Sequence, residues 1–129
     1  MPVDHAALIE AARVVCQAAY APYSKFAVGA AVLAGGQIYS ACNVENASYG
    51  LSMCAERAAV FAAVAAGAQA IEGVAIYTPT LLPAAPCGAC RQVLHEFADD
   101  LEIVIACRAE EITSYRLRDL LPQAFRLPT

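Results

Sequence analysis

The chain has 129 residues, of which 60% are hydrophobic and 16% are charged, and its formal net charge is −4. This length fits one domain, so we expect a single catalytic or binding domain over residues 1–129. The acidic charge argues against long nucleic acids as partners, because they favour basic surfaces. The longest apolar run, at 58–68, is too short to span a bilayer.

The composition also bears on location and assembly. The N-terminus lacks the basic segment and uninterrupted apolar run of a signal peptide, so we expect a cytoplasmic protein without a membrane partner. The six cysteines are then more naturally reduced thiols than a disulfide framework. The surplus of apolar residues predicts self-association, because isolated globular proteins rarely expose large apolar patches.

The first part of the chain has the pattern of a helix followed by a hairpin. Asp4 is a typical helix N-cap, and apolar residues recur at helical spacing from there to about Tyr20. Two strands are predicted over 26–33 and 37–43, on either side of the turn-forming pair Gly35–Gly36.

The second part predicts alternating helices and strands. A helix is expected over 53–66, with Ser52 as its N-cap and Gly67 ending it. The remaining predicted elements are a strand at 73–78, a helix that begins within the PCGAC sequence at 86–90, a strand at 101–107, a short strand at 114–118 and a helical turn at 119–121. This order predicts an α/β fold, a mixed sheet with helices packed on its faces.

The PCGAC sequence contains a CxxC pair, Cys87 and Cys90, and no second CxxC occurs in the chain. Two thiols cannot close a tetrahedral metal site, so the pair is either a redox dithiol or needs a third ligand from elsewhere. Cys54 is the favoured third ligand because it lies at the head of the second predicted helix, where free backbone N–H groups favour a thiolate. Three thiolates with one open position predict a catalytic Zn²⁺ site.

The other candidate ligands are less suitable. His95 lies five residues beyond Cys90 and points to another side of the helix, and His5 lies in the first turn of the N-terminal helix. Three further cysteines lie on apolar faces or strands and resemble buried small hydrophobic residues: Cys16, Cys42 and Cys107.

Two residues that follow Cys54 can complete such a site. Glu56 is the predicted catalytic acid/base, because side chains in a first helical turn lean toward the N-terminus and can converge on the open position. Arg57 lies three residues after Cys54 on the same helix face, where its guanidinium can hydrogen-bond the sulfurs and offset their charge.

The segments Cys54-Ala-Glu56 and Pro86-Cys-Gly-Ala-Cys90 resemble the signature of the zinc-dependent nucleobase deaminases. Four longer segments, covering nearly the whole chain, are similar to the short, homotetrameric cytidine deaminases: PYSKFAVGAA at 22–31, NVENASYGLSMCAERAA at 43–59, PCGACRQVLHEF at 86–97 and LLPQAF at 120–125. The resemblance implies a three-layer α/β/α fold with a five-stranded mixed sheet and one zinc per subunit. It also implies hydrolysis of cytidine or deoxycytidine to uridine or deoxyuridine plus ammonia, with Glu56 carrying the proton.

The resemblance further implies a set of nucleoside-binding residues. Asn43 and Glu45 would bind the ribose 3′-hydroxyl, and an extended backbone does place alternate residues on one face. Phe26 would pack on the base. Three residues would enter the pockets of neighbouring subunits of the tetramer: Ala47, Tyr49 and Phe125.

Three other functions remain open from the residues alone. A dithiol oxidoreductase would use the CxxC pair but leaves Cys54-Ala-Glu-Arg unexplained. A structural zinc module would need a fourth protein ligand, and none lies at a suitable spacing. A deaminase of the same fold could act on a modified nucleoside such as blasticidin S or on a base in a polynucleotide, and the acidic charge disfavours the polynucleotide.

Overall fold

The structure, a computed structural model, describes residues 3–109 and 111–128. In these ranges, five strands form a single sheet: β1 (Gly29–Ala34), β2 (Gln37–Cys42), β3 (Gly73–Tyr77), β4 (Glu102–Ala106) and β5 (Ile112–Arg116). The strand order across the sheet is β2-β1-β3-β4-β5. Only β3 and β4 pair in parallel, so the sheet is mixed.

Helices cover the two faces of this sheet. They are α1 (His5–Cys16), α2 (Ala55–Ala65), α3 (Gly88–Phe97), the four-residue α4 (Leu117–Leu120) and a 3-10 helix at Tyr49–Leu51. Among the described residues, every helix falls short of the length and apolar character that a membrane crossing requires.

The alternation of strand side chains divides the core into two layers. On one face, Leu8 and Ala12 of α1 pack against Ala31, Ala75 and Val104 of the sheet. On the other face, the apolar side of α2 and Leu94 of α3 pack against the opposite side chains of the strands. The predicted three-layer fold with a five-stranded mixed sheet is confirmed.

The element order agrees with the prediction, but β1 begins three residues later than expected. Lys25 has a positive φ of 61° and turns the chain just before the strand. The Phe26 carbonyl and the Val28 N–H then hydrogen-bond the side chain of Asn43, with Asn43 Nδ2 donating to Phe26 O at 2.8 Å and Val28 N donating to Asn43 Oδ1 at 2.9 Å. The Asn43 backbone N–H still donates to Val28 O at 3.2 Å. A side chain therefore takes the place of part of the strand pairing here.

The C-terminal prediction was wrong by two residues, because β5 ends at Arg116 and the helical turn begins at Leu117. Leu117 is buried in the core, and its backbone N–H donates to Leu101 O at 2.9 Å. Asp100 holds the two flanking arginines, accepting from the Arg116 side chain at 2.9 Å and from the Arg118 backbone N–H at 3.1 Å. These long-range contacts determine where the strand stops.

One residue pairing brings three chain segments to the same edge of the sheet. Gly29, at the start of β1, lies opposite both Cys42 at the end of β2 and Tyr77 at the end of β3. The segments that precede β1 and follow β2 and β3 therefore all leave the sheet at one edge. The residues predicted to be functional lie mainly in these segments.

Gly29 also marks the closest approach of α1 to the sheet. A Cβ built on it would lie 1.9 Å from the Ala12 carbonyl oxygen and 2.9 Å from Cys16 Cβ, so any side chain would push the helix away. We expect Gly29→Ala to lower the free energy of unfolding by about 1–3 kcal/mol. Gly50→Ala is the matched control, because nothing lies within 4 Å of a Cβ there, and its effect should stay within about 0.5 kcal/mol. Chemical denaturation measures both, and equal losses would contradict the close approach.

Candidate metal centre and active site

Three cysteine sulfurs meet at the sheet edge defined by Gly29. The Sγ atoms of Cys54 and Cys87 lie 3.9 Å apart, those of Cys87 and Cys90 lie 3.3 Å apart, and all three fall within 4.8 Å of one another. The structure thus brings together the three residues that the sequence predicted as metal ligands.

Two helix N-termini position these sulfurs in the same way. Cys54 is the N-cap of α2 and Cys87 is the N-cap of α3, both with extended backbone, and Cys90 is the third residue of α3. Both sulfurs face the common centre, and their hydrogen bonds join them to one another, to Cys90 or to Arg57. The prediction that Ser52 caps α2 was wrong, because the Ser52 hydroxyl instead accepts from the Asn46 N–H at 3.0 Å.

The donor set suits zinc. Around a tetrahedral zinc with Zn–S bonds of about 2.3 Å, sulfurs lie about 3.8 Å apart, close to the two distances above. Among residues 3–109 and 111–128, this is the only cluster of histidine, cysteine and acidic side chains with ligand atoms this close, and it contains three members. A site with three protein ligands leaves the fourth position for a water or a substrate, which is the catalytic arrangement.

The two histidines contact other groups. His5 Nε2 lies 3.3 Å from a carboxylate oxygen of Glu102 on β4. His95 contacts Arg126 near the C-terminus, at 3.4 Å from Nε2. Neither is therefore a candidate fourth ligand.

The thiols differ in how readily they ionise. Burial raises the pKa of the Cys90 thiol, and the nearby carboxylate of Glu56 acts in the same direction. For Cys87, burial also acts to raise the pKa, but hydrogen bonds from the Cys90 N–H and from the Cys90 and Cys54 thiols outweigh it, so the pKa is lowered. A divalent cation that binds here must therefore displace the proton of Cys90, the most buried of the three.

Arg57 lies on the α2 side of the cluster. Its Nη2 donates to Cys54 Sγ at 3.2 Å. This hydrogen bond is the main cause that raises the pKa of Arg57, and interaction with Cys90 adds to it. The guanidinium is therefore a permanent positive charge beside the sulfurs, where sequence analysis expected it.

Glu56 is a buried carboxyl group next to the three cysteines, with only 6% of its surface exposed. Burial raises its pKa, while its own backbone N–H, the Cys90 thiol and the Arg57 charge partly oppose the shift. A bound cation would also oppose it. An acid/base group whose pKa is raised toward neutrality is suited to accept and return a proton.

A cleft of about 230 Å³ opens beside the sulfurs and Glu56. It combines carboxyl, amide and thiol groups with apolar side chains, as small-molecule sites commonly do. Its lining comprises Phe26, Val28, Asn43, Glu45, Ser52, Met53, Cys54, Ala55, Glu56, Ala84, Ala85 and Cys87.

Backbone pairing on both sides of Val44 places Asn43 and Glu45 in this cleft. The N–H groups of Val44 and Met53 donate to each other's carbonyl oxygens at 3.0 and 2.8 Å. On the other side, Tyr20 N donates to Asn43 O at 3.0 Å, and Glu45 N donates to Tyr20 O at 2.8 Å. This segment is therefore held directly beside the head of α2.

The Glu45 carboxylate is fixed by the loop that precedes β1. Its Oε1 accepts from the backbone N–H groups of Tyr23 and Ser24 at 3.0 and 3.1 Å, and its Oε2 accepts from the Ser24 hydroxyl. The Ser24 hydroxyl is the main cause that lowers the pKa of Glu45, so this group is an ionised acceptor at neutral pH.

Three predicted substrate-binding residues lie outside the cleft of the single chain. Tyr49 and Phe125 are 75% and 65% exposed, and Ala47 is also exposed. The ring of Tyr49 packs edge-on against Tyr23, with centroids 5.9 Å apart. None of the three is among the residues that line the cleft.

Sequence reasoning assigned no role to Ser24. Besides holding Glu45, its hydroxyl accepts from the Phe26 N–H at 3.0 Å, so one side chain links two predicted substrate-binding residues. The signal was present, because Ser24 lies within the PYSKFAVGAA segment that supported the resemblance. Its partner, Glu45, lies 21 residues away, which local patterns do not reveal.

Comparison with known proteins points to one family. The family model described as the cytidine and deoxycytidylate deaminase zinc-binding region matches residues 2–107. A curated cytidine deaminase of Sporosarcina psychrophila is 42% identical over 125 residues, which cover 95% of this chain and 92% of that protein. The crystal structure of cytidine deaminase from Burkholderia pseudomallei has a TM-score of 0.90 and 48% identity, covering 95% of this chain and 100% of the other. For cytidine deaminase from Mycobacterium tuberculosis, the TM-score is 0.85 at 42% identity, over 98% and 100% of the two chains.

The three sulfurs predict about one tightly bound zinc per chain. Cys87→Ser should lose most of this zinc, and Arg57→Gln should release it roughly tenfold faster because the thiolate charge is less compensated. Cys107→Ser is the matched control, since this buried thiol contacts the Leu81 carbonyl instead, at 3.6 Å. Atomic absorption and transfer of zinc to a chromogenic chelator measure both quantities. Full zinc retention by Cys87→Ser would contradict the site.

Proposed function

The chain belongs to the cytidine and deoxycytidylate deaminase family, and from this membership we propose that it hydrolyses cytidine and 2′-deoxycytidine to uridine and 2′-deoxyuridine, releasing ammonia. The observation that carries the proposal is the buried carboxyl group of Glu56, which lies next to three sulfurs able to hold one zinc. We propose that residues 1–129 act as a single catalytic domain.

The reaction requires a nucleophilic water and a group that moves protons. When bound by Cys54, Cys87 and Cys90, zinc supplies the Lewis acidity that makes a water molecule nucleophilic near neutral pH. Glu56 accepts a proton from this water as it attacks C4 of the pyrimidine. The same carboxyl group donates this proton to N3, then accepts the second proton from the oxygen now bonded to C4 and donates it to the amine, which leaves as ammonia. Burial raises the pKa of Glu56 and so favours the protonated form needed for donation.

Asn43 and Glu45 are proposed to bind the sugar. Asn43 uses one amide N–H for Phe26 O, and its second N–H remains to donate to a hydroxyl. Glu45 is ionised and can accept a hydrogen bond from the same 3′-hydroxyl. Phe26 lines the cleft, where its ring can pack on the pyrimidine. The specificity for a nucleoside therefore rests on two polar groups that the surrounding loop holds in place.

We propose a homotetramer because three predicted substrate-binding residues do not line the cleft of the single chain. Ala47, Tyr49 and Phe125 are exposed in the single chain and would enter the pockets of neighbouring subunits. Further exposed apolar side chains on and near α2 provide surface for contact between subunits: Leu51, Phe61 and Val64.

We also propose a cytoplasmic location. All six cysteines, which lie within the described residues, are free thiols. A reducing compartment keeps such thiols available to a metal, whereas an oxidising one favours disulfides.

Glu56→Gln should abolish turnover and leave the zinc in place. An amide retains the shape of the side chain but cannot accept and return a proton, so kcat should fall by roughly 10²–10⁴-fold. Loss of cytidine is followed by ultraviolet absorbance, and zinc content is measured on the same sample. The unchanged chain should lose its activity when the metal is chelated and regain it with added zinc. Turnover at an unchanged rate after either change would reject the proposed reaction.

A substrate panel tests the role proposed for Asn43 and Glu45. Free cytosine lacks the hydroxyl that these groups bind, so its kcat/KM should be roughly 10⁴-fold below that of cytidine. Glu45→Gln should lower kcat/KM for cytidine and deoxycytidine while leaving the low value for cytosine unchanged. CMP and blasticidin S complete the panel. Comparable use of cytosine would contradict the sugar contacts, and a preference for blasticidin S would favour the alternative of a deaminase for modified nucleosides.

A further inference from the structure

Arg91 lies on α3 between the metal-binding cysteines and the C-terminal segment, and it does not line the cleft. Its guanidinium is partly buried and makes two hydrogen bonds to backbone carbonyls. Nε donates to Pro86 O at 2.8 Å, and Nη1 donates to Leu120 O at 2.9 Å. The two carbonyls lie 34 residues apart in the chain, and the Arg91 side chain joins them.

The first carbonyl belongs to the residue that precedes a metal ligand. Pro86 is fully buried, and the Pro86–Cys87 peptide sets the direction in which the Cys87 side chain leaves the backbone. Cys87 then begins α3 as its N-cap, with φ −66° and ψ 166°. A hydrogen bond that fixes the Pro86 carbonyl therefore also restricts the position of the Cys87 sulfur.

The second carbonyl lies where α4 ends and the C-terminal segment begins. Leu120 is the last residue of α4, and the segment that follows it contacts α3 at Phe125 and Arg126. Gln92 Nε2 donates to Phe125 O at 2.9 Å, and Arg126 Nη2 donates to His95 O at 2.9 Å. The helix that carries two of the metal ligands thus also holds the segment that presents Phe125.

We propose that Arg91 is a positioning residue that couples the metal-binding turn to the segment bearing Phe125. A planar guanidinium can donate to two carbonyls at once from fixed directions, whereas an ammonium group cannot reproduce this fork. The effect on the metal depends only on the sulfur cluster. The effect on nucleoside binding rests on the proposed function, in which Phe125 enters a substrate pocket.

The test compares Arg91→Met and Arg91→Lys with Gln92→Ala in the full-length, zinc-loaded protein. Gln92→Ala is the matched control, because it removes the tail contact at Phe125 and leaves the Pro86 carbonyl bound. The measurements are the rate at which zinc passes to a chromogenic chelator, and KM and kcat for cytidine.

Arg91→Met should release zinc about tenfold faster and raise KM more than it lowers kcat. Arg91→Lys, which can serve one carbonyl, should fall between Arg91→Met and the unchanged protein. Gln92→Ala should raise KM and leave zinc release within about twofold of the unchanged protein.

Two results would overturn the coupling. Zinc release from Arg91→Met at the unchanged rate would remove the link to Pro86, and equally fast release from Gln92→Ala would indicate general loosening of α3. If Arg91→Met does not fold, Arg91→Lys decides alone, since it must release zinc faster for the proposal to stand. Should the unchanged protein not act on cytidine, the proposed function fails, while the comparison of zinc release still tests Arg91.

Discussion

The functional centre depends on the pairing of Gly29 with both Cys42 and Tyr77 at one edge of the sheet. This pairing makes the segments after β2 and β3 leave the sheet side by side, and each continues into a helix whose N-cap is a cysteine. The helix starts then aim two sulfurs at a common point, and Cys90 joins them from the first turn of α3. Position 29 accepts only glycine, because α1 approaches the sheet so closely there that no side chain would fit.

Charge balance explains the residues around the sulfurs. Three thiolates on Zn²⁺ leave a net charge of −1, which weakens the metal as a Lewis acid. The positive ends of two helix dipoles and the guanidinium of Arg57 offset part of this charge. Burial of Glu56 in the same place disfavours its ionised form, so the carboxyl group can carry a proton. Electrostatics would therefore act on a bound zinc and on the proposed acid/base group, Glu56, through the same few contacts.

The nucleoside-binding groups proposed here are also structural groups. The amide of Asn43 completes the backbone hydrogen bonds at Phe26 and Val28. The carboxylate of Glu45 holds the backbone at Tyr23 and Ser24. These hydrogen bonds hold each side chain in place, and a polar group that is already fixed loses little conformational freedom when a ligand binds. Substitutions at these positions should therefore be interpreted through the loop as well as through the ligand.

The sequence by itself determined the element order and the mixed sheet, and it singled out the three cysteines whose sulfurs the structure brings together. These follow from local patterns, such as apolar periodicity, the Gly35–Gly36 turn with φ values of 57° and 78°, and the spacing of Cys87 and Cys90. Cys54 could be added because it heads a helix and begins a motif that the CxxC pair alone does not explain. Ionisable groups at helix starts can thus be recognised from the sequence alone.

Only the tertiary structure decided where β1 begins, where β5 ends and which residue caps α2. The Asn43 side chain holds the Val28 backbone N–H across 15 residues, and Asp100 holds the Arg118 backbone N–H across 18. The links made by Ser24 and Arg91 likewise span 21 and 29 residues. Such contacts depend on which surfaces the folded sheet brings together, and residues far apart in sequence carry no local signal of their pairing.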